Sequence, residues 1–279
     1  MYAATHLGFM AEQDRIVDYC HGLGIRHVVA DGHQLPVTEA GALHPAPLHE
    51  LKSKLETAGL ELVNVGIGFV GAETLADDKE AEANRRALLD NVRRVSDAGI
   101  DLAHVFTMVS RGEGDDAAGA DNWKRLIGYY QELADVCERA GVRLATHGSY
   151  TCEHYLDRPQ SFRDLFAAVP SEHLGACVCI GCFRECGSDP AEAITVLGDK
   201  VWFVHFRDCL INAEDRWENC HIGEGNLDFK EIRQALRDID FQGPVMPEHM
   251  RKVPGEPGSE TSAARALGYV QRWIQESRQ

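Results

Sequence analysis

Four times in the first half of the chain, a charged amphipathic stretch ends in Ala-Gly or a similar pair and a short apolar run follows within a few positions. The pairs are Leu23-Gly24 before Val28-Val29-Ala30, Ala58-Gly59 before Leu62-Val63-Asn64-Val65, Ala98-Gly99 before His104-Val105-Phe106, and Ala140-Gly141 before Leu144-Ala145-Thr146. Glycine suits the left-handed residue that closes a helix, so each junction reads as helix end, turn and buried strand. The glycines are spaced by roughly 35 to 42 residues, the length of a βα unit. Such a repeat restricts the chain to a parallel α/β fold, because each right-handed crossover returns the next strand in the same direction.

Extending the pattern predicts eight strands, near Ala4 to Phe9, His27 to Ala30, Leu62 to Val65, Ala103 to Met108, Val142 to Thr146, Leu174 to Cys179, Val201 to Phe206 and Pro244 to Pro247. Helices are expected near Glu12 to Leu23, Leu48 to Ala58, Lys79 to Ala98, Ala120 to Ala140, Ser161 to Ala168, Pro190 to Leu197, Phe229 to Ile239 and Thr261 to Glu276. Eight pairs favour a closed (β/α)8 TIM barrel over an open doubly wound sheet, and 279 residues suit one barrel domain over 1–279. The glycine-rich acidic stretch Ser110 to Gly119 reads as a strand-to-helix loop at the active end.

With 28 basic and 44 acidic residues the net charge is −16, so nucleic acid and anionic membranes are not expected partners. Met1 to Met10 lacks a basic stretch followed by an apolar core, and no run approaches the ~18 apolar residues of a membrane span. A cytoplasmic protein is expected. Nine cysteines in a chain this long are too dilute for a disulfide scaffold, and most are expected to be reduced core residues. Trp217 or Trp273 is a candidate contact for a homo-oligomer.

Four successive strands end in a potential metal ligand: His147, Cys179, His205 and Glu248. A barrel assembles its chemistry at the carboxyl ends of its strands. Two imidazoles, a thiolate and a carboxylate suit zinc, manganese, iron or cobalt. The alternative for Cys177, Cys179, Cys182 and Cys186, a structural cysteine cluster, lacks paired Cys-x-x-Cys knuckles. In Phe203-Val204-His205-Phe206-Arg207-Asp208, His205 and Arg207 share a strand face. Arg207 then either pairs with an acid such as Asp208 or Glu248 or awaits a substrate carboxylate. His249, next to Glu248, and His221, on the preceding loop, are candidate proton-transfer groups.

The stretches Phe203 to Asp208, Cys179-Ile180-Gly181, Gly243-Pro244-Val245-Met246-Pro247-Glu248-His249 and Arg265-Ala266-Leu267-Gly268 resemble those of D-mannonate dehydratases, metal-dependent members of the xylose isomerase-like barrels. The resemblance implies a divalent metal, manganese, on His147, Cys179, His205 and Glu248, the last where that family usually has aspartate. The expected activity is that of a lyase acting on a small sugar acid or related carbohydrate through an enediolate, with Arg207 holding a substrate carboxylate and His249 or His221 moving the proton to the departing hydroxyl. Two features depart from the family: Gly148-Ser149-Tyr150-Thr151-Cys152 replaces an acidic, proline-rich loop, and Ala263 replaces a tyrosine. The run from His221 to Phe229 is similar to sugar isomerases and epimerases of the same superfamily, which makes isomerisation or epimerisation the alternative. A non-catalytic carbohydrate-binding barrel is the third reading.

Overall fold

Eight parallel strands close on themselves in the computed structural model, which describes residues 1–111, 117–149, 152–211 and 217–276, the side chains of 33, 117–120 and 211 excepted. In chain order the strands are β1 (Tyr2–His6), β2 (His27–Asp31), β3 (Glu61–Gly71), β4 (Leu102–Met108), β5 (Arg143–His147), β6 (Leu174–Cys179), β7 (Val201–Phe206), β8 (Asp208–Ile211), β9 (Trp217–Cys220) and β10 (Pro244–Pro247). All but β8 and β9 form the barrel, which closes where β1 pairs with β10 at Tyr2↔Pro244 and Ala3↔Val245. The predicted (β/α)8 barrel is the observed fold. All four repeat glycines take left-handed φ, 64° at Gly24, 73° at Gly59, 70° at Gly99 and 67° at Gly141.

Inside the cylinder, one apolar cluster takes a residue from each barrel strand: Ala4, Val29, Val63, Leu102, Ala145, Cys177, Phe203 and Met246. They form a floor, because successive strand side chains point to opposite faces and the inward set interdigitates in layers. A larger core fills the space between barrel and helices, with Leu126, Tyr130, Phe162 and Phe206 fully buried. A cavity of about 580 Å³ lined by Tyr2, Arg143, Trp202 and Pro244 opens at the amino-terminal end of the strands. The floor separates it from the opposite mouth.

Differences from the sequence expectations concentrate at that mouth. β3 runs from Glu61 to Gly71, well beyond the expected Leu62 to Val65. Its register shifts between Gly66 and Phe69, and such a bulge, marked by Gly66 and Gly68, hides the strand's alternation. After β7, the short strands β8 and β9 pair antiparallel, Asp208 opposite Cys220 and Ile211 opposite Trp217. Ile180–Glu185 is a helix too short to show a 3.6-residue period. Within the predicted loop from Ser110 to Gly119, residues 112–116 lie outside the described residues.

Phe203→Ala removes the largest floor side chain and leaves a void beneath His205. The expected cost is about 3–5 kcal/mol of unfolding free energy, measured by denaturant titration. A loss below about 1 kcal/mol would mean that the floor does not bear on the barrel's stability.

Candidate metal centre

Two residues beyond the floor positions Ala145, Cys177, Phe203 and Met246 stand His147, Cys179, His205 and Glu248. Alternation therefore turns all four inward, one layer higher, at the carboxyl ends of the strands. Cys179 is in register with His205, and the amide of Glu248 donates to the Phe206 carbonyl at 3.0 Å. One ligand atom from each of the four lies within 4.8 Å of all the others. His205 Nδ1 is 3.2 Å from Glu248 Oε1, and Cys179 Sγ is 3.4 Å from Glu248 Oε2.

Local backbone fixes these groups. His147 Nδ1 bonds the Gly148 carbonyl, which directs Nε2 away from it and into the cluster, the way an outer acceptor sets the tautomer of a ligating histidine. Glycine is required at 148 because a Cβ there would lie 2.0 Å from the Leu156 carbonyl oxygen. The buried Nε2 atoms of His147 and His205 have no hydrogen-bond partner. Leaving such groups unsatisfied costs free energy, and a divalent cation would satisfy both. The donor set and these unpartnered atoms fit a metal.

Electrostatics prepare the donors for a cation. Burial opposes ionisation of Cys179, but the Cys182 thiol, the His147 imidazole and the Arg207 guanidinium hold its pKa well below the ordinary thiol range. Cys182, donating toward that thiolate and buried itself, is pushed up and stays protonated. Burial likewise opposes the Glu248 charge, and His205 chiefly outweighs it, holding the carboxyl well below its usual value. A metal would meet a ready thiolate and carboxylate.

Arg207 is buried, with Nη1 3.6 Å from Cys182 Sγ and 4.0 Å from Cys179 Sγ, and Nη2 donating to Asn219 Oδ1 at 3.0 Å. Its guanidinium lies 4.9 Å from the Trp217 ring centroid, and its stem fills the space a side chain at Gly181 would need, 2.5 Å from that residue's virtual Cβ. Packing places Arg207 behind Cys179, where it supports the thiolate, and it forms no ion pair with Glu248. Nor does it pair with Asp208, whose carboxylate accepts from the amides of Cys209 at 2.8 Å and of Gly223 and Gly225, each at 2.9 Å. That clamp accounts for the run after His221.

His249 stands at the mouth with its side chain 54% exposed and Nε2 3.4 Å from Glu248 Oε1. Its φ of 47° is uncommon for a residue with a side chain and marks a held conformation. His221 lies on the clamped loop, and no hydrogen bond or ion pair joins it to the four ligands. Trp273, one of the two candidate subunit contacts, is a core residue whose indole donates to the Phe229 carbonyl at 3.0 Å, and Trp217, the other, covers Arg207. Cys152 and Cys186 form a disulfide, because the segments after β5 and β6 converge beside the mouth. The other seven cysteines are free and buried.

Sequence reasoning missed the opposite wall. Asp31 Oδ2 is 3.1 Å from His6 Nε2, its Oδ1 is 2.9 Å from His104 Nε2, and His104 Nδ1 meets the Asn64 side-chain amide. Burial disfavours the Asp31 charge, but the two imidazoles outweigh it and hold the pKa well below normal. Burial dominates at His104 and lowers its pKa despite Asp31, so that ring is neutral. Phe106 packs its ring 4.6 Å from His147 and 5.1 Å from Phe69, adding an aromatic wall. The available signal was the period of two from Ala4, Val29 and Leu102.

Titrating the metal-free chain with Mn2+ is expected to load one ion per chain and raise Tm by on the order of 5 °C or more at a hundredfold excess over Kd. Cys179→Ala and His205→Ala should each abolish the rise. An unchanged Tm in the parent chain, or an equal rise in both variants, would contradict a cation on these groups.

Residues 17–273 match the family model of the xylose isomerase-like TIM barrel. A mannonate dehydratase of Oceanobacillus iheyensis is 28% identical over 161 residues, covering 53% of this chain and 46% of that enzyme, so the match spans about half of that relative's length. The crystal structure of mannonate dehydratase from Streptococcus suis serotype 2 superposes with a TM-score of 0.82 at 18% identity, covering 99% of this chain and 93% of that one. The D-psicose 3-epimerase of Clostridium cellulolyticum H10, solved with D-tagatose, gives 0.75 at 19% identity, covering 100% and 98%. These two share the barrel fold with it. The chain belongs to the xylose isomerase-like TIM-barrel family.

Proposed function

We propose that this chain is a divalent-metal-dependent dehydratase of sugar acids, with manganese as its ion and D-mannonate as the first substrate to test. It is a carbohydrate-processing enzyme, as its relatives named mannonate dehydratase are. The observation that carries the reading is the convergence of His147, Cys179, His205 and Glu248 within 4.8 Å at the barrel mouth. An ion held there supplies Lewis acidity to a carboxylate and its neighbouring hydroxyl, which acidifies the adjacent C–H.

The protein's own groups do the rest. Arg207 keeps Cys179 ionised and fixed from behind. His249, exposed beside Glu248, takes the proton from the carbon next to the carboxylate. Phe106 and Phe69 give the substrate carbon chain an apolar face and keep water from that side. Isomerisation or epimerisation is the second reading, and one observation favours it: Ala263, at the place of the dehydratase tyrosine, is fully buried and offers no hydroxyl. Among the described residues no helix is long and apolar enough to cross a membrane, which agrees with a small-molecule substrate met in water.

Incubating the manganese-loaded chain with D-mannonate should yield a deoxy keto acid and one water per turnover, read by mass spectrometry. His205→Ala should lose the ion and lower kcat/KM at least about 1,000-fold, roughly 4 kcal/mol of transition-state stabilisation. A product of unchanged mass would favour the isomerase reading. Retention of both metal and turnover by His205→Ala would overturn the proposal.

A further inference from the structure

The ring above the floor does not stop at the four ligands. The position two residues beyond the floor is His6 on β1, Asp31 on β2 and His104 on β4. β3 departs because of its register shifts: Asn64 supplies a side-chain amide to His104, and Gly66 leaves space. A Cβ at Gly66 would lie 2.5 Å from Asp31 Oδ1 and 2.9 Å from His104 Nε2. The pairing of Asp31 with His104 therefore depends on glycine there.

The arrangement has a direction. His104 is fully buried, with one nitrogen at Asn64 and the other at Asp31. Asp31 presents its second oxygen to His6, the outer imidazole, whose side chain is 11% exposed. Gly8 makes room beside His6 Nδ1, which would otherwise be 2.9 Å from a Cβ. A carboxylate behind an imidazole fixes its orientation and stabilises its protonated form. The ring centroids of His104 and His205 are 5.8 Å apart, so the assembly faces the ligand half across one mouth.

We propose that His6, oriented by Asp31 with His104 behind it, donates the proton to the hydroxyl that leaves the substrate; His6 is the catalytic residue, Asp31 and His104 are positioning residues. This rests on the dehydratase reading. As the C–H bond beside the carboxylate breaks, its proton goes to His249 and its electron pair moves into the carboxylate to give an enediolate. That pair then returns to form the C=C bond as the C–O bond on the next carbon breaks, and the departing oxygen takes a proton from protonated His6 and leaves as water. The enol hydroxyl then returns a proton to His6 while the carbon that lost oxygen takes the one on His249. Both histidines regain their starting states, and the net products are the deoxy keto acid and water.

The test runs His6→Asn, Asp31→Asn and Gly66→Ala against the parent chain, all manganese-loaded, with D-mannonate in D2O. Metal content, Tm, product formation and deuterium incorporation beside the carboxylate are followed together. His6→Asn should keep one ion per chain and continue to exchange that hydrogen while product formation falls at least about 100-fold. Asp31→Asn and Gly66→Ala should lower kcat in the same direction with KM little changed. Elimination by His6→Asn within about threefold of the parent rate would overturn the role of His6. So would loss of metal and exchange in step with elimination, the sign of a merely structural group. A parent chain that isomerises D-mannonate, or leaves it unchanged, overturns the dehydratase reading and this role with it. A dehydrating parent with fully active His6→Asn overturns His6 alone.

Discussion

Closure of eight parallel strands is the constraint from which the site follows. Once β1 pairs with β10, every inward side chain belongs to a layer, and a residue's height in the cylinder is set by its place in its strand. The lower layer is apolar on all eight strands. The next carries His6, Asp31, His104, His147, Cys179, His205 and Glu248, seven groups able to hold charge or protons. A one-residue slip in any of those strands would turn its functional side chain out among the helices.

Concentrating so much charge potential inside a protein is costly unless each group is paired. The two halves of the ring solve this differently. On β1, β2 and β4 a carboxylate is shared by two imidazoles, one oxygen to each. On β5, β6, β7 and β10 a thiolate and a carboxylate face two imidazoles, with Arg207 behind the sulfur. The second half brings four donor atoms within 4.8 Å of one another and is the half that fits a cation; in the first a carboxylate stands between two imidazoles, which fits proton movement. The division gives a substrate two chemically distinct poles.

Much of this was legible in the residues. The glycine punctuation and the eight apolar runs specify a parallel barrel, and several strands match their expected bounds because long unbroken runs such as Val201 to Phe206 leave little choice. The four candidate ligands could be read because each ends an apolar run. Asp31 and His104 were not, since Asp31 follows a run like an ordinary turn residue and His104 lies inside one, and only the inward alternation shared with Ala4, Val29 and Leu102 reveals them. The sequence suggested substrate binding for Arg207; its actual neighbours, Cys182 and Asn219, come from a short helix and a short strand pair that have no periodic signature. The Cys152–Cys186 pair joins two segments brought together by the barrel, a proximity spacing alone does not express.

The central claim is that His147, Cys179, His205 and Glu248 act on one cation, and metal-edge X-ray absorption of the loaded chain addresses it most directly. The account predicts one sulfur among nitrogen and oxygen scatterers, and loss of that sulfur in Cys179→Ser while Cys182→Ser retains it. A spectrum with only nitrogen and oxygen neighbours in the parent chain would contradict it.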